Sequence, residues 1–347
     1  MSAFSRPALG LTAVAAMLSL APAKADSVAD FYKGKTITVV TSTGAGGPFD
    51  ATARLVARHM NRYIPGQPTM IVKNMPGGGH MLATNYMYNQ AEKDGTVIAL
   101  VNNSVPLHQA LGGKGVRFDA RRFNWIGSTG ISNLLTVAWH NSGFKTIDDV
   151  MKRELVTGAT GVGSGTFIYP NTMNVVLGTK FKIVMGYKST AELDVAMERG
   201  EVQARAGASY IGIQHWVKDK KVNVLFQTGA EREKDLPDVP LMSELAKNEE
   251  QRQILRLISA PPAIGRPFFT TPDVPAERVS ALRKAFVDML KDKAFLTEAK
   301  QLNVDITPLA GERVSSIVNG MINTPQSLLD RAKVALEPPK AKQGKSR

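Results

Sequence analysis

Two glycine-rich segments of the sequence carry residue types suited to binding an anion. The first is Ser42–Asp50 (STGAGGPFD) and the second is Gly161–Thr166 (GVGSGT). Each follows a β-branched run and precedes apolar residues at helical spacing, which predicts a strand–loop–helix junction. Such a junction presents unpaired backbone N–H groups and the positive end of a helix dipole to an anion. Further hydrogen bonds can come from the hydroxyls of Ser42, Thr43, Ser164 and Thr166.

Neither glycine segment matches a nucleotide-binding motif. The third glycine of G-x-G-x-x-G would fall at Phe49 in the first segment and at Thr166 in the second, and no acidic residue lies near position 70 to bind a ribose. The sequence also lacks G-x-x-x-x-G-K-[ST], which excludes a P-loop. A purely structural interpretation stays open here, in which the glycines only allow tight turns.

Residues for catalysis or metal binding are sparse. The histidines do not lie at metal-ligand spacing, so the sequence predicts no metal site; they are His59, His80, His108, His140 and His215. The segment Gly207–Gly212 has one residue too many for the G-x-S-x-G nucleophile motif. Asp50 is either a general base or a residue that caps the helix and orders the loop. Arg205 is either a ligand-binding cation or a solvated charge at a strand edge.

Strands and helices alternate along most of the chain, which predicts two α/β units, the first with parallel strands joined by right-handed crossovers. The C-terminal third is predicted to be mainly helical, and Pro261-Pro262 to lie in connecting chain. The predicted strands are Lys35–Thr41, Thr69–Lys73, Thr96–Val101, Leu134–Trp139, Val156–Thr160, Lys182–Met185, Val202–Ala206 and Val222–Thr228. The predicted helices are Phe49–Ile64, Met81–Gln90, Thr146–Arg153, one that follows Thr166 to about Leu177, Ser189–Arg199, Val239–Lys247, Ala276–Lys291, Asp292–Leu302 and Gly311–Ala335.

The N-terminal 25 residues have the pattern of a secretory signal. Arg6 supplies a positive charge, Ala8–Leu20 is uncharged, and Ala23-Lys24-Ala25 is an A-x-A cleavage site. This pattern predicts cleavage after Ala25, a mature chain that starts at Asp26, and export to a bacterial periplasm. An uncleaved amphipathic start is the alternative.

The composition narrows the class of partner. The chain has 347 residues and no cysteine, which excludes disulfides, thiolate nucleophiles and Cys-ligated metals. Its formal net charge is +13, and the last ten residues carry four lysines or arginines without an acid. Aromatic residues are not interleaved with the basic ones as base stacking requires, so we expect no nucleic-acid partner. Attraction of anionic small molecules fits the charge better.

Several short segments also carry a family resemblance, in one order along the chain. They are Ile37–Asp50 (ITVVTSTGAGGPFD), Ala53–Leu55, Asn74–Gly79 (NMPGGG), Lys93–Val97 (KDGTV), Gly186–Leu193 (GYKSTAEL), Gly200–Val202 and Leu236–Pro240 (LPDVP). Together they resemble the solute-receptor family of the tripartite tricarboxylate transporters (Bug/TctC). The resemblance covers effectively the whole mature chain.

The resemblance implies an α/β fold of the type II periplasmic-binding-protein kind, in which two lobes close on a ligand between them. The first lobe is expected to comprise residues 26–132 and 236–337, and the second residues 133–235. Residues 1–25 are then the signal peptide, and residues 338–347 a basic disordered tail.

The resemblance also implies which residues bind the ligand. The four contributing loops are Ser42–Asp50, Gly163–Thr166, Asn102–Ser104 and Gly207–Tyr210. Many family members have an acid where Ala208 stands, and its absence here argues against an ammonium group on the ligand. Many also have a polar residue where Phe49 stands, and Phe49 together with Tyr210 favours a bulkier or aromatic acid. The candidate ligand-binding residues are Ser42, Thr43, Gly46, Gly47, Phe49, Asp50, Asn103, Ser104, Gly163, Ser164, Gly165, Thr166, Ser209 and Tyr210.

The function implied is a monomeric periplasmic receptor, without a cofactor or enzymatic activity, that captures a small organic carboxylate and delivers it to the membrane permease of a tripartite transporter. Two alternatives stay open. One is an exported α/β enzyme that acts on a small organic acid, and the other is a ligand-sensing receptor for a signalling membrane partner.

Overall fold

The structure is a computed structural model of the chain. It describes Met1 and residues 27–131, 133–161, 164–187, 189–302, 304 and 306–337. The predicted signal peptide with its cleavage site, the predicted basic tail and the candidate residue Gly163 lie outside the described residues.

The described residues form eleven strands in two mixed sheets. Within the first sheet, β1 pairs in parallel with β2 and β3, as the βαβαβ pattern predicts, while β10 pairs antiparallel with β3 and β4. The strands of this sheet, in spatial order, are β11 (Leu309–Ala310), β4 (Asn124–Ser128), β10 (Pro267–Thr270), β3 (Val97–Leu100), β1 (Thr36–Thr41) and β2 (Thr69–Asn74).

The second sheet contains the strands from the middle of the chain. Its parallel part pairs β6 with β7 and β8, and β5 then runs antiparallel to both β8 and β9. In spatial order the strands are β7 (Phe181–Met185), β6 (Leu155–Ala159), β8 (Ala204–Ser209), β5 (Leu134–Trp139) and β9 (Val222–Thr228).

Helices connect and cover both sheets. The α-helices are α1 (Val28–Tyr32), α2 (Pro48–Met60), α3 (Met81–Asn89), α4 (Val105–Ala110), α5 (Ile147–Lys152), α6 (Gly165–Leu177), α7 (Thr190–Glu198), α8 (Tyr210–Lys218), α9 (Glu249–Ile264), α10 (Ala276–Met289), α11 (Lys293–Gln301), α12 (Gly311–Ile322) and α13 (Gln326–Leu336). Short 3₁₀ turns span Asn61–Tyr63, Gly78–His80, Ala120–Arg122 and Met242–Leu245. None of these described helices is both long enough and apolar enough to cross a membrane.

The structure corrects the helix predictions in the C-terminal third. The helix predicted over Val239–Lys247 is only the 3₁₀ turn Met242–Leu245, because Gln227 N–H binds Pro240 O and holds this chain as a bridge beside β9. Helix α9 instead starts after the Asn248 cap and includes Pro261-Pro262 in its last turn, where burial of its apolar face outweighs the lost backbone hydrogen bonds. The helix predicted over Gly311–Ala335 is divided into α12 and α13 by Thr324-Pro325.

The chain passes between the sheets after β4 and again after β9. The lobe boundaries predicted from the sequence fall in these two crossings, and stay a prediction. The terminal helix α13, placed with the first lobe by the sequence, lies against α6 of the second sheet. Here the side-chain amide of Asn171 donates hydrogen bonds to Ala335 O (2.8 Å) and Glu337 O (2.9 Å).

Candidate functional site

A cavity of about 790 Å³ is lined by residues from both sheets and from the crossing after β4. The first glycine loop and the start of α2 contribute one side, and the end of β8 with α8 contributes another. The lining residues are Gly46, Gly47, Pro48, Phe49, Ala51, Asn103, Gly130, Ile131, Leu134, Ser209, Ile211, Gly212, His215, Pro262, Gly265, Arg266, Leu302 and Val304.

The first glycine loop follows the end of β1 and turns directly into α2. Gly46 has a φ of +84°, a left-handed conformation that favours glycine. Gly47 is the N-cap of α2, and Pro48 occupies the first helical turn, where a missing N–H costs nothing. The positive end of α2 and Phe49 both lie at the cavity wall.

Asp50 orders this loop from within and does not line the cavity. Its buried carboxylate accepts hydrogen bonds from Gly46 N (2.9 Å) and Arg54 Nε (3.0 Å) through Oδ2, and from Asn74 Nδ2 (2.8 Å) through Oδ1. Burial by itself raises the pKa of Asp50, but these three hydrogen bonds outweigh it and hold the pKa below its ordinary value. The loop-ordering alternative for Asp50 thus matches its contacts.

The other polar residues near the first loop are also engaged in internal hydrogen bonds. The Ser42 hydroxyl accepts from Asn102 N at 3.2 Å and ties the first loop to the loop after β3. The Thr43 hydroxyl contacts the Thr41 hydroxyl at 3.2 Å, and the Ser104 hydroxyl donates to Asn102 Oδ1 at 2.6 Å. Of the predicted Asn103 and Ser104, only Asn103 lines the cavity.

The second glycine loop is held together by hydrogen bonds of its own hydroxyl groups. Thr166 is buried, and its Oγ1 accepts from Thr160 N at 3.0 Å and lies 2.5 Å from the Ser164 hydroxyl, which also contacts Gly161 O at 2.7 Å. A Cβ at Gly165 would lie 2.7 Å from the Tyr169 ring. None of the described residues of this loop lines the cavity.

The end of β8 places its two candidate residues differently. Ser209 is the N-cap of α8 and lines the cavity. The next residue, Tyr210, is buried, and its hydroxyl donates to Asp235 Oδ2 at 2.6 Å and accepts from Gln214 Nε2 at 3.1 Å. Of the two aromatic residues predicted to favour a bulky acid, Phe49 therefore lies at the cavity and Tyr210 does not.

Two residues of basic type line the cavity although the sequence analysis did not name them as candidate ligand-binding residues. They are Arg266 and His215. Arg266 immediately precedes β10, and because β10 is antiparallel to β3, its start lies beside the ends of the parallel strands. His215 stands four residues after Ile211, so α8 turns both toward the cavity. Helical spacing in 211–215 is the signal that could have found His215. Among the described residues, none of those that line the cavity is Asp or Glu.

Arg205 is not a solvated edge charge. It is buried on β8 and forms an ion pair with Asp194 of α7. Burial raises the pKa of Asp194, and the Arg205 guanidinium acts in the opposite sense. This pair joins α7 to β8 of the second sheet, and Arg205 does not line the cavity.

Comparison with known families decides the class of the protein. Residues 52–311 match the model of the tripartite tricarboxylate transporter family receptor (TctC). The chain belongs to the TctC receptor family.

This TctC receptor is similar to other proteins over most of its length. The "UPF0065 protein in gbd 5'region" of Cupriavidus necator is 25% identical over 249 residues, which cover 68% of this chain and 72% of the relative. A TctC solute-binding protein from Polaromonas, solved without ligand, has a TM-score of 0.66 and 18% identity, with 85% of this chain and all of that chain (100%) covered. A protein of R. palustris solved with adipate has a TM-score of 0.60 and 17% identity, with 86% and 97% covered.

Family membership makes this TctC protein a solute-binding receptor with the two-lobe periplasmic-binding fold, as the sequence predicted. The individual ligand-binding residues stay predictions. Five of them line the cavity, namely Gly46, Gly47, Phe49, Asn103 and Ser209. The described candidates that do not line it are Ser42, Thr43, Asp50, Ser104, Ser164, Gly165, Thr166 and Tyr210.

Proposed function

We propose that this TctC receptor captures a small organic carboxylate in the cavity described above and delivers it to the membrane subunits of a tripartite transporter. The observation that carries the proposal is the charge of the cavity lining, whose described residues include an arginine, a histidine and the N-terminus of α2 but no acidic side chain. A structural relative solved with adipate supports the same ligand class.

The two sides of the cavity must act together to bind such a ligand. A helix N-terminus contributes only about 0.3–2 kcal/mol toward an anion, whereas micromolar affinity requires about 8.2 kcal/mol. We infer that Gly46, Gly47 and Asn103 bind from the first sheet and Ser209 from the second. Ligand entry and release then require the lobes to move about the two crossings.

The candidate residues that do not line the cavity can support it through hydrogen bonds within the loops. Ser42, Thr43 and Ser104 would hold the loops that bear Gly46 and Asn103, and Asp50 would hold Gly46 itself. These residues would then affect ligand binding through loop geometry and without touching the ligand.

We place the mature receptor in the periplasm, as a monomer that starts at Asp26. The signal pattern of residues 1–25 and the family support this location. Mass spectrometry of the exported protein should give a chain that lacks these residues, and size-exclusion chromatography with light scattering should give one chain per particle.

We also propose that the protein binds its ligand without converting it. The enzyme alternative needs a positioned nucleophile, base or metal at the cavity. Of the lining residues that the structure describes, His215 is the one of an acid–base type. The described part of the chain also contains no cluster of three or more His, Asp or Glu side chains that could hold a metal. Incubation with each bound acid should return it unchanged, and turnover would overturn this part of the proposal.

A thermal-shift screen over organic acids, followed by calorimetry, tests the ligand class. A ligand at a hundred times its Kd should stabilise the protein by about 2.7 kcal/mol. Each acid that binds is then compared with its own amide, which keeps the size but loses the charge. We expect the amide to lose about 1.5–3 kcal/mol for each charge-assisted contact removed. Equal affinity for an acid and its amide would contradict the proposed carboxylate binding.

A further inference from the structure

The first sheet ends in an exposed edge strand, β2, whose one neighbour among the described strands is β1. The Thr69 N–H donates to Lys35 O at 3.0 Å. The Met75 N–H donates to Thr41 O at 2.8 Å. Backbone groups alternate in direction along a parallel ladder, so the even-numbered residues of β2 point theirs away from β1. These residues are Met70, Val72 and Asn74, and within the described part of the chain no hydrogen-bond partner faces their backbone groups.

Apolar side chains are exposed beside this edge. Ile71 is 49% exposed, and Lys73, two residues later, shares its face of the strand. The Lys73 ammonium lies 5.6 Å from the centre of the Tyr86 ring, which places α3 beside that face. Leu82 is 53% exposed and precedes Tyr86 by four residues, so both lie on the same side of α3. The edge of β2 is therefore continued by a partly apolar surface.

The loop 112–117 extends this surface along α3. The side chain of Asn85 accepts from Arg117 N at 2.9 Å, and the side chain of Asn89 donates to Arg117 O at 2.9 Å. The loop is thus fixed to the helix through its backbone. Its two cationic residues, Lys114 and Arg117, are exposed.

The charge of this region has one sign. Strand β2, helix α3 and loop 112–117 contain no Asp or Glu. Among the described residues, no acid forms an ion pair with any of the three cations Lys73, Lys114 and Arg117. By contrast, Arg58 and Arg62 of the neighbouring α2 both pair with acids at α11. Strand β2, helix α3 and loop 112–117 together form a positive surface, the β2–α3 face.

The β2–α3 face lies next to the first glycine loop. Strands β1 and β2 are parallel and therefore end at the same edge of the sheet. At that edge the Asn74 amide donates to Thr43 O at 3.0 Å and to Asp50 Oδ1 at 2.8 Å. A partner held on β2 would thus contact the strand that braces the loop proposed to bind the ligand.

We propose that the β2–α3 face docks an extended, acidic segment of the transporter's membrane subunits, which adds a strand to the first sheet. The outward backbone groups of β2 would pair with the segment, and its acids would face the three unpaired cations. An open strand edge fits a polypeptide better than a lipid surface, because lipid headgroups form no β-ladder. This inference rests on the proposed function, since delivery of the ligand requires contact with those subunits.

Surface plasmon resonance of the full receptor over its immobilised membrane subunits tests the face at about 50 mM salt, where surface charges are weakly screened. Lys73→Glu and Arg117→Glu should each weaken binding about fivefold or more, and the double variant more than tenfold, because the reversed charges repel the acidic segment. At about 500 mM salt the difference from wild type should shrink. The matched control is Lys182→Glu, at an exposed lysine of β7, the edge strand of the second sheet, and it should bind as wild type does.

Val72→Pro tests the added strand itself. It removes an outward N–H and blocks pairing at that edge, while the bonds from β2 to β1 stay in place. Binding to the membrane subunits should weaken about tenfold or more. Val72→Thr keeps the N–H and the branched side chain and should bind as wild type does. Thermal unfolding checks that each variant is folded, and the charge variants decide alone if Val72→Pro is not.

Three results would overturn the inference and leave the carboxylate receptor intact. The first is equal binding of wild type and all face variants to the membrane subunits. The second is binding to phosphatidylglycerol vesicles without those subunits that Lys73→Glu abolishes, which would assign the face to lipid. The third is self-association that the same variant abolishes, which would assign it to a second copy of the chain. If wild-type receptor binds the membrane subunits neither with nor without a bound acid, the proposed delivery is overturned as well.

Discussion

The two glycine-rich loops look alike in sequence, yet they are built differently. In the first loop, the stabilising contacts come from the carboxylate of Asp50, which lies in the first turn of α2, and from the amide of Asn74 at the end of β2. In the second, the hydroxyls of Thr160, Ser164 and Thr166 bond to one another and to the loop backbone. The first loop thereby keeps Gly46, Gly47 and Phe49 at the cavity, while no described residue of the second reaches it.

The difference shows what glycines and hydroxyls can do at a strand–helix junction. A carboxylate on the following helix can fix a loop and leave its outer face to a ligand. Hydroxyls within the loop fix it equally well, but their hydrogen-bonding capacity is then used internally. Both arrangements satisfy the backbone groups of the turn, so the residue types alone do not distinguish them.

The largest effect is expected from Asp50→Asn in the first loop. The change removes the charge that faces Arg54 and places an amide donor beside Gly46 N–H or Asn74, so buried groups lose their partners. We expect the free energy of unfolding to fall by about 2–4 kcal/mol, measured by urea denaturation at neutral pH. Asp148→Asn, at an exposed acid of α5, is the control and should cost under about 0.5 kcal/mol. If Asp50→Asn lowers the free energy of unfolding no more than the control does, Asp50 does not stabilise the first glycine loop as described.

The pH dependence of the stability lost in Asp50→Asn gives a second test of how the first loop is held. Because the pKa of Asp50 is lowered in the folded protein, its carboxylate stabilises the fold fully above the ordinary Asp pKa of about 3.9 and loses this contribution as the pH falls through the folded-state pKa. The difference between wild type and Asp50→Asn should be constant above about pH 5 and shrink in more acidic solution. A difference that grows on acidification would have the wrong sign for this account.

Leucine at a glycine of each loop should separate binding from folding. A Cβ at Gly165 meets the Tyr169 ring at 2.7 Å, so Gly165→Leu should destabilise the protein by about 1–3 kcal/mol. Gly47 has an ordinary φ of −85° and nothing within 4 Å of an added Cβ, so Gly47→Leu should cost no more than about 1 kcal/mol, which reflects the preference of an N-cap for glycine over leucine. Its side chain enters the cavity, however, and carboxylate affinity should fall by about tenfold or more.

Thermal unfolding and calorimetry on the same two variants check this pair. Gly47→Ala is the matched control, since it adds a side chain too short to fill the cavity. A stable Gly165→Leu, or a Gly47→Leu that binds acids as wild type does, would contradict the roles assigned to the two loops.

The smallest effect is expected from Thr166→Val in the second loop. The substitution keeps the shape of the side chain but removes the oxygen that accepts from Thr160 N, which should cost about 1 kcal/mol. Thr166→Ser retains the oxygen and should recover much of that loss in urea denaturation. Because the described part of this loop contains no carboxylate, the cost should not vary between about pH 3 and pH 7. A cost that disappears in acid would show that the two loops are stabilised in the same way.

The sequence predicted the α/β alternation because periodicity and glycine punctuation are local signals. Strand β1, helix α2 and the parallel β1–β2–β3 core follow from runs such as Thr36–Thr41. Strands β4 and β10 were missed, since they are short and their pairing depends on chain far away in the sequence. Helix α9 was also missed, because the rule against prolines in helices is overridden there by burial.

The candidate site was predictable only in part, for a related reason. The family resemblance and the glycine pattern located Gly46, Gly47, Asn103 and Ser209 at the cavity. Arg266 could not be found in this way, because it reaches the same sheet edge through an antiparallel strand that follows a long helix. Tyr210 was placed at the site as the last residue of the loop Gly207–Tyr210 that the resemblance implies, but it begins α8 and its hydroxyl bonds to Asp235 and Gln214 instead.

The central claim is that the ligand binds against the first glycine loop and the N-terminus of α8. A crystal structure of the protein with the tightest acid from the screen tests it most directly. The account predicts a carboxylate within hydrogen-bonding distance of the Gly46–Phe49 backbone or of Asn103, with Ser209 approaching from the second lobe. A carboxylate bound at the second glycine loop alone, or outside the cavity, would contradict it.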